Sequence, residues 1–340
     1  MKQWNEVLDH ARSLASKCKC CPVCNGRACR GETPGCGGKG TGEAFVRNYD
    51  KLREVLLVLD TIVSNEEVDT STTFFGKEVA LPVYAAPISG IKQNYGADLS
   101  DGAYSEMLVE GCVKAGTIAF TGDGMYPEMY LDPLKAIEKH HGLGVPTIKP
   151  WIRDEFLWRA EAAIDANVIA VATDIDASGL TNLRNSVTPV GFKDVAGLKE
   201  LKEMVKRPLI VKGVLSVKGA MKALEAGADA IIVSNHGGRV LDECLSGIEV
   251  LSEIADAVDG RMKIFVDGAF RTGLDVFKAL ALGADGVLIG RPISLAVIGG
   301  GAEGVQTYFE KIALELRETM AMCGVKKISD IRKEHVKVCF

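Results

Sequence analysis

No apolar run in this 340-residue chain is longer than a strand, which argues against a membrane-spanning helix. Basic residues form no block or stripe. The formal net charge is -5 with both signs spread along the chain, so a nucleic-acid partner is excluded on composition. Residues 1–17, "MKQWNEVLDHARSLASK", read as an amphipathic helix. They lack the apolar core of a secretory signal, which predicts a cytoplasmic protein. Residues 18–44 are rich in cysteine and glycine and too poor in apolar groups to build a core of their own.

Ten cysteines are present, and six fall in this segment: Cys18, Cys20, Cys21, Cys24, Cys29 and Cys36. A disulfide framework belongs to small secreted domains, so reduced thiols or metal ligands are expected here instead. From residue 45 onward the composition is globular. The chain is therefore divided into an N-terminal helix and Cys/Gly-rich cap segment, 1–44, and a single domain, 45–340.

In that domain short apolar runs alternate with helix-like segments. The runs are "LPVYAAP", "GTIAFT", "VPTIKP", "VIAVAT", "RPLIVKG", "DAIIVSN", "KIFVDG" and "DGVLIGR". None shows in–out alternation, as expected of parallel strands covered by helices. Eight such units predict an α/β fold, a TIM (β/α)8 barrel with an N-terminal Cys/Gly-rich extension. A doubly wound open sheet is the alternative. "FFGKEVALP", ahead of the first strand, reads as a hairpin closing the barrel bottom.

In such a barrel, chemistry gathers where the strands end. "VDGAFRTG" and "LIGRP" place Asp267, Gly268, Arg271, Gly290 and Arg291 after the last two strands, the usual phosphate position of the fold. Lys212, following "LIV", faces the barrel mouth, where a cation needs an electron-rich partner or an ion pair with Asp174 or Asp267. "SNHGGRVLD" follows the sixth strand and carries Ser234, His236 and Arg239. An imidazole oriented by a carboxylate, Asp174, would serve as a base, and an arginine three residues on would grip an anion.

These motifs, together with "DVFKALALGADGVLIGRP", resemble the FMN-dependent α-hydroxy-acid oxidases and dehydrogenases, the glycolate and lactate oxidase group. The similarity runs from about residue 45 to the C-terminus. It implies FMN at the barrel mouth. His236 would be the base, Arg239 the carboxylate anchor and Asp174 the support of the histidine. Lys212 would sit against flavin N1 and O2, Ser89 near N5, and Ser234 near the ring. Asp267, Gly268, Arg271, Gly290 and Arg291 would hold the ribityl phosphate. The substrate would be a small 2-hydroxy acid or a related polar molecule.

The chain departs from the family in three places. "KPW" replaces the usual Gln-x-Tyr at the third strand, leaving Lys149 and Trp151 as candidate substrate contacts. No arginine follows the fourth strand before Arg184. The cysteine segment stands where the family supplies a tyrosine.

Read from Cys21-x2-Cys24, the six thiols match no standard ferredoxin run, yet an iron–sulfur cluster or zinc is a candidate ligand. Two alternatives stay open: a non-redox flavin isomerase of the type 2 isopentenyl diphosphate isomerase kind, and a non-catalytic flavin or metal redox sensor. The resemblance also implies a homo-oligomer, tetramer or octamer. The electron acceptor is not specified by the sequence.

Overall fold

The computed structural model describes residues 2–186 and 188–340. Eight short parallel strands form its centre: β1 (Val83–Ala85), β2 (Phe120–Thr121), β3 (Val145–Ile148), β4 (Val171–Asp174), β5 (Leu209–Val214), β6 (Ala230–Val233), β7 (Lys263–Val266) and β8 (Gly286–Ile289). They are hydrogen-bonded in the order β1-β8-β7-β6-β5-β4-β3-β2. A parallel bridge between Ala85 and Ala119 joins the two outer strands and closes the ring. The fold is therefore the TIM barrel, not the open sheet.

Each strand is followed on the outside by a helix, from Asp101–Lys114 after β1 to Arg291–Met322 after β8. The missing alternation now has its cause. Ile210 packs in the barrel interior while Leu209 and Val211 pack against the helices, so both faces of β5 are apolar.

The hairpin is present as Thr72–Phe74 paired with Lys77–Val79. Its turn residues Phe75 and Gly76 both have positive φ, as in a type I′ connection. Phe74 plugs the barrel bottom, with its ring 4.8 Å from that of Tyr84 and 5.5 Å from that of Phe265. Sequence reading missed a second ribbon, Val55–Leu57 with Val336–Val338, which pairs residues near the two ends of the domain.

The N-terminal helix Lys2–Leu14 lies against the helix that follows β8. His10 Nδ1 donates to the Gly299 carbonyl at 2.7 Å. A Cβ on Gly299 would sit 2.1 Å from the Val7 carbonyl oxygen, so only glycine permits this approach. At its other end the Cys/Gly-rich segment runs into the helix Glu43–Arg53. That helix is fixed to the barrel by Arg47 Nε on Glu249 at 2.7 Å and by the paired amides of Asn48 and Asn235 at 2.8 Å. No helix among the described residues is long and apolar enough to cross a membrane.

Candidate active site

The period of two along a strand decides which side chains reach the mouth. Val145, Ala172, Ile210, Ile232, Phe265 and Leu288 all pack in the barrel interior. Two residues further along the same faces stand Thr147, Asp174, Lys212, Ser234, Asp267 and Gly290. The interior thus changes from apolar to polar within one step. Thr147, Asp174, Lys212, Asp267 and Gly290 floor a cavity of about 480 Å³, whose wall also includes Lys149, His236, Arg239, Arg271 and Arg291.

His236 opens the loop after β6. It and the next two residues, Gly237 and Gly238, all have left-handed φ, at 56°, 63° and 76°. Gly238 must be glycine because a Cβ there would meet the Phe45 backbone nitrogen at 2.5 Å. The histidine has no such freedom, and a left-handed conformation costs it on the order of 1–2 kcal/mol. Side-chain contacts hold it there. Its backbone N–H donates to Ser234 Oγ at 3.0 Å, and its Nδ1 lies 2.9 Å from Asp176 Oδ1. That pairing assigns the ring proton to Nδ1 and leaves Nε2 free to accept a proton.

The charges around it are arranged consistently. Burial pulls the His236 pKa below its ordinary value, against Asp176 and with the help of Lys212, so the ring is neutral. Burial pushes Asp176 up, but the His236 contact and the Lys212 charge outweigh it and hold the carboxyl at about 2. Burial pulls Lys212 down, yet Asp267, Asp176 and Asp174 outweigh it and keep the ammonium charged. Lys212 Nζ donates to Ser234 Oγ at 3.1 Å and lies 3.6 Å from Asp267.

Two expectations need correction. Asp174 does not support the histidine: it ends β4 and accepts from Lys149 Nζ at 2.5 Å, while Asp176, two residues on in the following turn, reaches the imidazole. Trp151 does not contact the cavity. Its strand ends at Ile148, and the indole turns into the core, donating from Nε1 to Asp123 Oδ2 at 2.6 Å. Asp123 also accepts from the Lys149 backbone N–H at 3.0 Å and from Arg159 Nε at 3.2 Å. This buried carboxylate fixes the start of the β3 loop. Trp151→Phe is therefore predicted to lower unfolding stability by about 1–3 kcal/mol, the cost of a missing donor to a buried acceptor, with flavin content and substrate kinetics kept. Denaturant unfolding checks this. A variant of wild-type stability with altered substrate kinetics would return Trp151 to the substrate.

The other candidates lie at the mouth. Ser89 Oγ donates to the Asp123 carbonyl at 2.7 Å, and the Ser89 carbonyl accepts from Asn94. Arg239 bonds the Gly35 carbonyl and Asn94 Oδ1. Burial, then the Arg291 charge, push its pKa down to about 10, so it remains a cation. Arg291 Nε donates to the Cys36 carbonyl at 2.6 Å, and its face lies 3.8 Å from the centre of the Phe45 ring. Arg271 Nε donates to the Cys24 carbonyl at 3.0 Å. Three arginines thus meet the backbone of the cysteine segment, which lies over the barrel mouth. Sequence reading missed Thr147 and Asn94. Strand alternation alone would have found Thr147, but Asn94 comes from the loop after β1, for which there was no motif.

The cysteines themselves are all free thiols. Cys20 and Cys36 pack in the main core, while Cys18, Cys21, Cys24 and Cys29 are half-buried. The Cys18 thiol contacts those of Cys20 and Cys36, and Cys29 contacts Cys36.

The residues fit a phosphorylated flavin. Thr147 Oγ1 and Asp267 Oδ1 are buried at the cavity without a hydrogen-bond partner. The Lys212 cation suits the electron-rich edge of a reduced ring. Arg271 and Arg291, beside Gly268 and Gly290, suit a phosphate.

Comparison with known proteins gives the same direction. A family model described as FMN-dependent dehydrogenase matches residues 36–193 and 188–338. A 4-hydroxymandelate oxidase of Amycolatopsis orientalis is 30% identical over 347 residues, covering 92% of this chain and 96% of the relative. An L-lactate dehydrogenase of Caulobacter vibrioides is 30% identical over 361 residues, covering 87% and 90%. A solved mandelate oxidase variant with benzoyl-formic acid is similar with a TM-score of 0.81, at 27% identity over 98% of both chains. The barrel, the polar mouth and these matches agree: the chain belongs to the FMN-dependent dehydrogenase family and is an FMN-dependent oxidoreductase.

Proposed function

We propose that the protein oxidises a small 2-hydroxy acid to the 2-oxo acid. The observation that carries this reading is one loop. His236 and Arg239, three residues apart after β6, line the same cavity as Lys212. Bound FMN supplies the acceptor for the two electrons released at the substrate's alcohol carbon. His236 Nε2 takes the proton from the hydroxyl or the α-carbon, and Asp176 orients the ring and stabilises it once charged. Arg239 grips the carboxylate through paired N–H donors, and Lys149 offers a second polar contact. Arg271 and Arg291, with Asp267, Gly268 and Gly290, hold the phosphate. Lys212, Ser89 and Ser234 meet the ring. Residues 1–44 act as a cap on the domain 45–340. Assembly as a tetramer or octamer and a cytoplasmic location belong to the same proposal and rest on the sequence reading.

The test is anaerobic bleaching of the flavin by a panel of 2-hydroxy acids across pH. The base must be neutral to work. Because burial lowers its pKa, the reduction rate is predicted to stay level as pH falls through the ordinary imidazole range and to drop only below it. An acid limb above that range would contradict the assignment. No bleaching by any member of the panel would remove the hydroxy-acid reading.

A further inference from the structure

Asp174 takes no part in the histidine contact, yet it is one of the most confined carboxylates of the cavity. It ends β4 with a side chain only 3% exposed and gives Oδ2 to Lys149 Nζ at 2.5 Å. Its other oxygen, Oδ1, is buried without a hydrogen-bond partner. Among the described residues, three such atoms belong to side chains that line the cavity: Thr147 Oγ1, Asp174 Oδ1 and Asp267 Oδ1. Burying a carboxylate oxygen without a donor is unfavourable, so the molecule that fills the cavity should bring one.

The order of groups around the rim says which donor. From β7 to β3 the floor presents the Asp267 carboxylate, the Lys212 ammonium, the Asp174 carboxylate and the Thr147 hydroxyl. Asp174 and Lys212 are register partners on neighbouring strands. A flavin read from its phosphate chain has the complementary order. The ribityl hydroxyls can donate, N1 and the C2 carbonyl accept, N3–H donates, and the C4 carbonyl accepts. Lys212 against N1 and O2, as proposed above, makes N3–H the next group along the ring edge. Asp174 is the next side chain along the rim. N3–H is the only N–H of the oxidised ring. Beyond it, the Thr147 hydroxyl can turn to donate to the C4 carbonyl.

We propose that Asp174 accepts the flavin N3–H through Oδ1, with Lys149 as the counter-cation that fixes Oδ2. This rests on the FMN placement above and gives the Lys149–Asp174 pair a cofactor role. Its consequence is electrostatic. Reduction adds negative charge to the ring. Lys212 favours that charge, Asp174 opposes it, and Lys149 offsets Asp174. Removing one member of the pair should therefore move the flavin potential one way, and removing the other should move it the opposite way.

The midpoint potential of the holoenzyme, measured anaerobically against reference dyes with no substrate present, tests this. Asp174→Asn keeps the shape and removes the charge. Reduction should become easier by about tenfold in equilibrium constant, roughly 30 mV for a two-electron couple. Lys149→Met leaves the carboxylate uncompensated and should lower the potential by a similar amount. A merely structural ion pair would not give opposite signs. Unchanged potentials, or shifts of the same sign, overturn the proposal. Should either variant lose its flavin, wild-type protein reconstituted with FMN methylated at N3 decides. The methyl group removes the donor, so affinity should fall about tenfold or more, and an affinity equal to that of FMN overturns the proposal. No hydroxy acid enters these measurements, so failure here leaves the hydroxy-acid reading intact.

Discussion

Replacing His236 with alanine is expected to slow substrate-driven flavin reduction by about 10²-fold or more while FMN stays bound. The imidazole is held at both ends, by Ser234 on the backbone and by Asp176 on Nδ1, so Nε2 is the free basic atom. The residues assigned to phosphate and ring are untouched by the change. Asp176→Asn should also be slow, because an amide can donate to Nδ1 and move the ring proton to Nε2. Anaerobic stopped-flow traces with the best 2-hydroxy acid measure both. Reduction of His236→Ala at the wild-type rate would show that the base lies elsewhere.

The second large effect is predicted at Arg239. Arg239→Met removes the guanidinium from the cavity wall and leaves a substrate carboxylate buried without its partner. Truncating one member of such a pair costs about 2–5 kcal/mol, so kcat/KM should fall by roughly 30-fold to several thousand-fold. Arg239→Lys should recover only part of it, since an ammonium cannot make two parallel hydrogen bonds. The informative comparison is between a 2-hydroxy acid and its uncharged amide. Wild type should prefer the acid, and Arg239→Met should lose that preference. If the preference survives, the carboxylate is held by another cation, and Lys149 is the first to examine.

Much of this architecture could be read from the chain because parallel strands buried on both faces leave an obvious mark. Runs such as "AIIV", β-branched and repeated between helix-like segments, fit strands buried on both faces, and the residues just past them could be placed at one rim without coordinates. Asp267, Lys212, His236 and Arg239 were all located in that way. The misplacements came where the strand had already ended. Asp174 and Asp176 are two residues apart, and the sequence cannot say how the chain turns between them. Strand alternation placed Asp174 toward the mouth, but it was the turn that delivered Asp176 to the imidazole. Trp151 fell to the same cause: continued alternation would carry it inward after Lys149, but β3 stops at Ile148 and the indole finds a buried carboxylate instead. The contacts between Arg239, Arg291 and the carbonyls of Gly35 and Cys36 join residues some 200 to 255 positions apart, and backbone acceptors carry no residue-type signature.

The two anchors flanking the cysteine segment give it the statistics of a polymer loop, not of a tail. One end is pinned where the helix Lys2–Leu14 meets Gly299, the other where Arg47 and Asn48 meet the barrel. A dangling end of this length would have to be ordered residue by residue from full freedom. A loop whose ends are already fixed has lost much of that freedom, and doubling its length adds only about 0.6 kcal/mol to the closure cost. The interior of the span is tied as well, at the carbonyls of Cys24, Gly35 and Cys36, so only the stretches between those ties can change length at that low cost. A single methyl group at Gly299 should therefore loosen the first anchor alone, while the ties at Cys24, Gly35 and Cys36 keep the rest of the span on the barrel mouth.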